Sequence, residues 1–218
     1  MTSRPNTRDM VVIHRVLRRE FPRLAHLVEG VPAGERGRAE EVAAHLEFVL
    51  TELTYHHHGE DDYLWPKLLA RATMETDLIH RMRAQHEAVA EADQRVRALL
   101  AQWRPTAAVS VAGDLAVALR ALATVLGEHL DEEEASVLPL VVRHISVAEW
   151  AELGELTTAK FPRSALFTML GQVLEDATKA DRALFFGKLP PPARLAWRLF
   201  GRRRYVRYTR RVDGEAAR

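Results

Sequence analysis

His56 and Glu60 stand four residues apart in HHHGEDDYLWP (His56–Pro66), and His129 and Glu133 stand four apart in HLDEEEASVLP (His129–Pro139). Side chains at that spacing stack on one helix face, about 6 Å apart along the axis. An imidazole nitrogen and a carboxylate oxygen so placed can reach one metal ion. In both stretches a proline lies ten residues after the histidine. The chain shows no other repeat.

Apolar periodicity decides which of these groups face inward. The first stretch continues a stripe of Val42, Leu46, Val49, Leu53, His56, Glu60 and Leu64. His57, His58, Asp61 and Asp62 fall off that stripe and are expected mostly to point out or sideways, with the His57 ring near enough to touch the edge of the site. The second continues Leu115, Leu119, Leu122, Leu126, His129, Glu133 and Val137. Two more histidines occupy such stripes: His14 among Met10, Leu17, Phe21, Leu24 and Val28, and His86 among Ile79, Met82, Val89, Asp93 and Val96.

Positioning these residues requires long helices, and the pattern is helical throughout. Breaks at Gly30–Gly34, Arg71–Thr76 and Trp103–Ala107 predict helices over about 7–29, 36–71, 74–103 and 107–145, with Pro22 a kink in the first. The short connections favour an all-α fold: an up-down four-helix bundle over 8–145, followed by a helical extension over 146–218. In the extension Ser146 and Glu149 read as a capping box, Phe161–Thr178 as a further helix, and Leu189–Pro192 as the break before a final basic segment. In such a bundle the second and fourth helices end where the first and third begin. His14, His56, Glu60, His86, His129 and Glu133 can then converge at one level.

Two carboxylates buried without a cation would each cost several kcal/mol, more than a marginally stable fold tolerates. A bound metal resolves that conflict. The chain has no cysteine, so thiolate sites, disulfides and thiol nucleophiles are excluded. Imidazole and carboxylate ligands without sulfur favour iron or manganese over structural zinc. Four His and two Glu suit two ions bridged by carboxylates.

These motifs, with the early His14 and AQHEAV around His86, resemble the hemerythrin-like, HHE-type cation-binding family over about residues 8–145. The resemblance implies a non-haem di-iron four-helix bundle with His14, His56, Glu60, His86, His129 and Glu133 as ligands. Two iron ions are the implied cofactor, with manganese and zinc behind iron. Oxygen-carrying hemerythrins have a second histidine four residues before the third-helix ligand, where this chain has Met82. They also place an acid five residues after the last histidine, whereas Glu133 follows at four. Fewer imidazoles leave more positions for a small ligand: dioxygen, peroxide or nitric oxide. One function class is an enzyme reducing or disproportionating such an oxidant. The others are a sensor of iron, oxygen or nitric oxide acting through a partner, and a metal reservoir.

His45 lies eleven residues from His56, about 16 Å along the helix, and belongs elsewhere in the bundle. His26 and His80 are expected at the surface. Asp93 and Glu52 lie on or near inward stripes and are read as plain polar residues of the bundle, with support of the ligands as the alternative. The composition, 47% hydrophobic and 28% charged, is that of an ordinary globular chain. No signal-peptide pattern opens it and no uninterrupted apolar run reaches membrane-spanning length, so the expected location is the cytoplasm, with no membrane partner. Charge is uneven: residues 181–218 hold 11 Lys or Arg against 3 Asp or Glu, a net of +8, and the rest carries −7. The six arginines of GRRRYVRYTRR (Gly201–Arg211) are read as a solvated helix face paired with the acidic body. Nucleic-acid binding is disfavoured.

Overall fold

The computed structural model describes residues 4–214, and those residues form helices and turns with no strand. Four long helices dominate: α1 (Arg8–Glu29), α2 (Arg36–Gly59), α4 (Thr76–Trp103) and α5 (Val109–Glu132). α2 continues through a π-helical turn, Glu60–Leu64, into α3 (Trp65–Arg71), and α5 through a second, Glu133–Val137, into α6 (Leu138–His144). α1 packs along α5, α5 along α4, and α2 against both α1 and α4. Pro22 lies inside α1, which runs on without interruption.

Each π turn begins at the glutamate of a His-x-x-x-Glu pair and ends just before a proline. Pro66 and Pro139 have no N–H to give, and their rings crowd the carbonyl four residues back. The helix widens instead: Trp65 N–H bonds to the Glu60 carbonyl and Leu138 N–H to that of Glu133, both five residues back.

The apolar core falls into two parts along the long helices. One gathers Leu17, Leu53, Val89, Leu126 and Leu130 with the residues beyond them. The other gathers Met10, Leu64, Trp65, Met82, Val137 and Leu138 with Trp150 and Leu153. Every long helix crosses the gap between them once, and the crossings fall at His14, His56–Glu60, His86 and His129–Glu133.

Val109–His144 is long and apolar enough to cross a membrane by length and composition. A search for uninterrupted runs passes over it because Asp114 and Arg120 break the sequence. Leu115, Leu119, Leu122 and Leu126 are buried in the core, which accounts for its apolar character.

In the extension, α7 (Val147–Ala159) opens with the capping box of Ser146 and Glu149 that the sequence indicates. The expected helix over 161–178 is shorter: α8 is Leu166–Glu175, because Pro162 sits in a turn closed by the Ala165 N–H on its carbonyl. α9 (Lys179–Lys188), not anticipated, has its own capping box from Thr178 and Asp181. The last helix is α10 (Pro191–Ala196), a π turn (Trp197–Gly201) and α11 (Arg202–Asp213). α7 lies against α2 so closely that a Cβ on Gly59 would sit 2.6 Å from Thr157 Oγ1.

Candidate metal centre

All six residues singled out in the sequence meet in the gap between the two apolar clusters. His14, Glu60, His129 and Glu133 are fully buried, and His56 and His86 nearly so. His14 Nε2 lies 3.3 Å from Glu133 Oε2, and His129 Nε2 3.7 Å from the same oxygen. His56 Nε2 lies 3.4 Å from Glu60 Oε1, and His86 Nε2 3.4 Å from Glu60 Oε2. The Nε2 atoms of His86 and His129 face each other at 3.2 Å.

Two donor groups result, each with its ligand atoms within 4.8 Å of one another: His14, His56, Glu60 and Glu133, and His57, Glu60, His86 and His129. Glu60 belongs to both. The inward atoms are also orphaned: Nε2 of His14, His56 and His57 and both oxygens of Glu60 and of Glu133 have no hydrogen-bond partner among the described residues. Buried polar atoms are rarely left so, and here the orphans converge on one space. Neutral imidazole nitrogens and carboxylate oxygens are donors a divalent or trivalent cation would satisfy. The residues present fit a metal centre.

The opposite ring nitrogens are tied down. His14 Nδ1 donates to Glu134 Oε1 at 2.9 Å, and His86 Nδ1 to Asp61 Oδ1 at 3.0 Å. His129 Nδ1 donates to Gln85 Oε1 at 3.1 Å, while Gln85 Nε2 donates to Glu132 Oε2 at 2.7 Å and so fixes the amide orientation. With Nδ1–H engaged outward, each neutral ring presents its Nε2 lone pair inward. Asp61, Glu134 and Gln85 do this supporting work. Of the residues suggested for it, Asp93 instead pairs with Arg97 at 2.8 Å.

The electrostatics are those of a centre short of positive charge. Burial raises Glu60, and the nearby charge of Glu133 adds to that. Burial would also raise Glu133, but His14 beside it overcomes this and holds it low. Burial pulls His14 down, yet Glu133 and Glu134 carry it to about 9. For His86 the same contest, against Asp61 and Glu60, ends at about 9. His56 and His129 sink to about 3 and about 4, chiefly through burial.

His57 corrects the sequence reading. Expected to face out or sideways and at most to touch the edge of the site, it is 7% exposed, and its ring stacks on His86 with centroids 4.0 Å apart. The inward face of α2 is wide enough for two overlapping stripes. Leu46, Leu50, Leu53, His57, Glu60 and Leu64 form the second, and Leu50, buried yet absent from the first, is the signal that points to it. His58 and Asp62 are exposed, as expected. So are His26 and His80, and His45 is buried elsewhere.

The family model of the hemerythrin HHE cation-binding domain matches residues 6–141. The chain belongs to this family. Comparison with curated proteins and with solved structures finds no match. Membership implies cation binding, and the matched span ends before the extension. Among the described residues, none of the extension joins either donor group.

Proposed function

We propose that this hemerythrin HHE domain is an up-down four-helix bundle holding two iron ions, at which a small oxidant (dioxygen, peroxide or nitric oxide) binds or reacts. The observation that carries this reading is the pair of donor groups sharing Glu60, lined by orphaned nitrogens and oxygens. His14, His56 and Glu133 would hold one ion, His57, His86 and His129 the other, and Glu60 would bridge them. Iron so held supplies redox change and open coordination positions. The chain's own residues do the rest. Asp61, Glu134 and Gln85 orient the imidazoles, and Trp65, Leu64 and Val137, all buried, keep bulk water from one side of the layer. Such a protein would work in the cytoplasm.

A sensor reading has an observation of its own. α7 grips the π turn that starts at Glu60: Tyr63 O–H donates to Glu152, Arg71 clasps Glu149 with both terminal nitrogens, and Thr157 abuts Gly59. A change at Glu60 therefore reaches the extension directly. Sustained peroxide consumption by the iron-loaded protein would favour the enzyme, and binding without turnover the sensor.

Metal analysis tests the common core of both. The loaded protein should hold two ions per chain, His57→Ala should fall toward one, and exposed His58→Ala should keep two. Saturation of the folded parent chain at one ion would reject the paired centre. Equal occupancy in His57→Ala and the parent would remove His57 from it.

A further inference from the structure

The helix over Pro191–Asp213 is held along one face only. Trp197, Tyr205 and Val212 are buried, and a Cβ on Gly201 would lie 2.7 Å from the Trp197 ring and 3.3 Å from Phe167. Tyr205 O–H donates to Glu175 at 2.7 Å and Tyr208 O–H to His45 Nδ1 at 2.7 Å. Arg38 donates to the carbonyls of Arg211 and Val212, and Arg23 pairs with Asp213 at 2.5 Å. These contacts fix the rotation of the helix about its axis, and so fix what it shows to solvent.

The outward face mixes two kinds of residue. Leu195, Leu199, Phe200 and Val206 are 57, 55, 56 and 40% exposed. Among them stand exposed Arg198, Arg202, Arg203, Arg207 and Arg210. The expectation that the tail's arginines pair with the acidic body is not met: among the described residues none of these five is in an ion pair. The nearby carboxylates are already engaged, Glu175 by Arg19 and Tyr205, and Asp213 by Arg23.

Two phosphate-bearing surfaces could answer such a face, and the geometry separates them. Single-stranded nucleic acid binds where basic residues alternate with exposed aromatic rings on which bases stack. Here both tyrosines turn inward and are committed to Glu175 and His45. That leaves one exposed ring, Phe200, for a base to stack on, where a stacking track needs several, and the exposed Leu195, Leu199 and Val206 find no partner along a sugar–phosphate backbone. At a bilayer surface they sink to the acyl boundary while the arginines meet anionic headgroups.

We propose that the outer face of α10 and α11 docks on a bilayer surface carrying anionic lipid, with the helix lying in the interfacial plane. The protein would then be peripheral, its metal layer held at the membrane by its own C-terminal helix. This revises the sequence-based expectation of no membrane partner. It stands apart from the metal centre, which contributes no residue to this face.

Sedimentation of the full-length, metal-loaded chain with vesicles tests it, comparing phosphatidylcholine alone with phosphatidylcholine mixed with phosphatidylglycerol. Binding should require the anionic lipid and weaken with salt. Arg203→Glu with Arg207→Glu should reduce partitioning more than ~10-fold, since each basic group at an anionic surface contributes several-fold. Leu199→Ser with Phe200→Ser should also reduce it about tenfold or more, through lost apolar burial. All four side chains are exposed, so circular dichroism and metal content should match the parent. Absence of binding to mixed vesicles would overturn the proposal. So would retention of full binding by the Leu199/Phe200 variant, or tighter binding to DNA than to the mixed vesicles.

Discussion

Two buried His/Glu clusters share α1 and α2, and they are built to opposite ends. His14 and His56 belong to the candidate metal layer, and Glu20 and His45 to a cluster farther along the same helices. Glu20 is fully buried and both its oxygens are occupied. Oε1 accepts from Arg19 Nε and a terminal Arg19 nitrogen at 3.0 and 2.8 Å, and Oε2 from Arg23 and His45 Nε2, each at 3.1 Å. His45 Nδ1 accepts from Tyr208. Two guanidinium groups surround one carboxylate here, whereas among the described residues no arginine or lysine pairs with the inward oxygens of Glu60 or Glu133. Glu52 and Gln172 nearby do keep unpartnered atoms, but burial lifts Glu52 to about 8, and a protonated acid needs no cation. A histidine beside a glutamate inside a helical bundle is therefore no metal site by itself. Orphaned lone pairs and missing counter-charge distinguish the one from the other.

The largest expected effect is a crossed one. Glu20→Ala leaves Arg19, Arg23 and His45 around an empty position and should cost about 3–5 kcal/mol, the usual penalty for breaking a buried pair from one side. Metal content of the folded fraction should be unchanged. Glu60→Gln should do the reverse. Burial and Glu133 already favour the neutral form of Glu60, so an amide of the same shape should leave the metal-free fold within about 1 kcal/mol of the parent. Metal occupancy should collapse. Denaturant melts in chelator, beside metal analysis, read both variants. Equal loss of metal-free stability in the two would erase the distinction between the clusters.

The comparison also explains what was legible in the sequence. The four long helices and their six inward polar residues follow from periodicity, because each His or Glu occupies a position where an apolar side chain is due. His57 was hidden because a single stripe underestimates the width of a face that neighbours cover from both sides. The π turns were hidden although Pro66 and Pro139 mark them, since the pattern does not say whether a helix breaks, kinks or widens at a proline. The supporting residues Asp61, Glu134 and Gln85 lie off the apolar stripes and declare themselves only when a ring nitrogen meets them. Similarly, no local spacing links Glu20 to His45 and Tyr208, which meet only after α11 returns across the bundle.

A second expected difference is in pH dependence, and the two clusters should respond with opposite sign. His14 and His86, each carried from 6.5 to about 9 against the pull of burial, hold protons at neutral pH in the metal-free centre. Their contribution to metal-free stability is complete below the ordinary histidine range and is lost as pH rises through about 9. A metal must displace those protons, so affinity should rise with pH up to about 9, by about tenfold per unit for each proton released. Burial would raise Glu20 from 4.5, but His45 and Arg19 lower it to about 2. Its stabilisation is present above the ordinary carboxylate range and is lost as pH falls through about 2. Competition titrations of metal from pH 6 to 9 should show the steep slope in the parent and a shallower one in Glu134→Gln, which removes one of the charges raising His14. A flat profile would mean that the rings are already neutral and that the outward carboxylates do not hold protons on them.

The smallest effect expected is at the outer end of the closed cluster. Tyr208→Phe removes the hydroxyl that donates to His45 Nδ1 and keeps the ring that packs edge-on against the imidazole at 5.5 Å. One neutral hydrogen bond contributes about 1 kcal/mol, and the half-buried position of Tyr208 lets water reach the vacated nitrogen and limit the loss. For a chain of this size that corresponds to a fall of about 2–4 °C in Tm. His45 would still donate to Glu20, the arginines would still surround that carboxylate, and the layer at His56, about 16 Å along α2, would be untouched. Metal affinity should therefore stay within about twofold of the parent. A tenfold loss of metal affinity in Tyr208→Phe would show that α11 and the metal layer are coupled through α2, and the two clusters would then have to be treated as one.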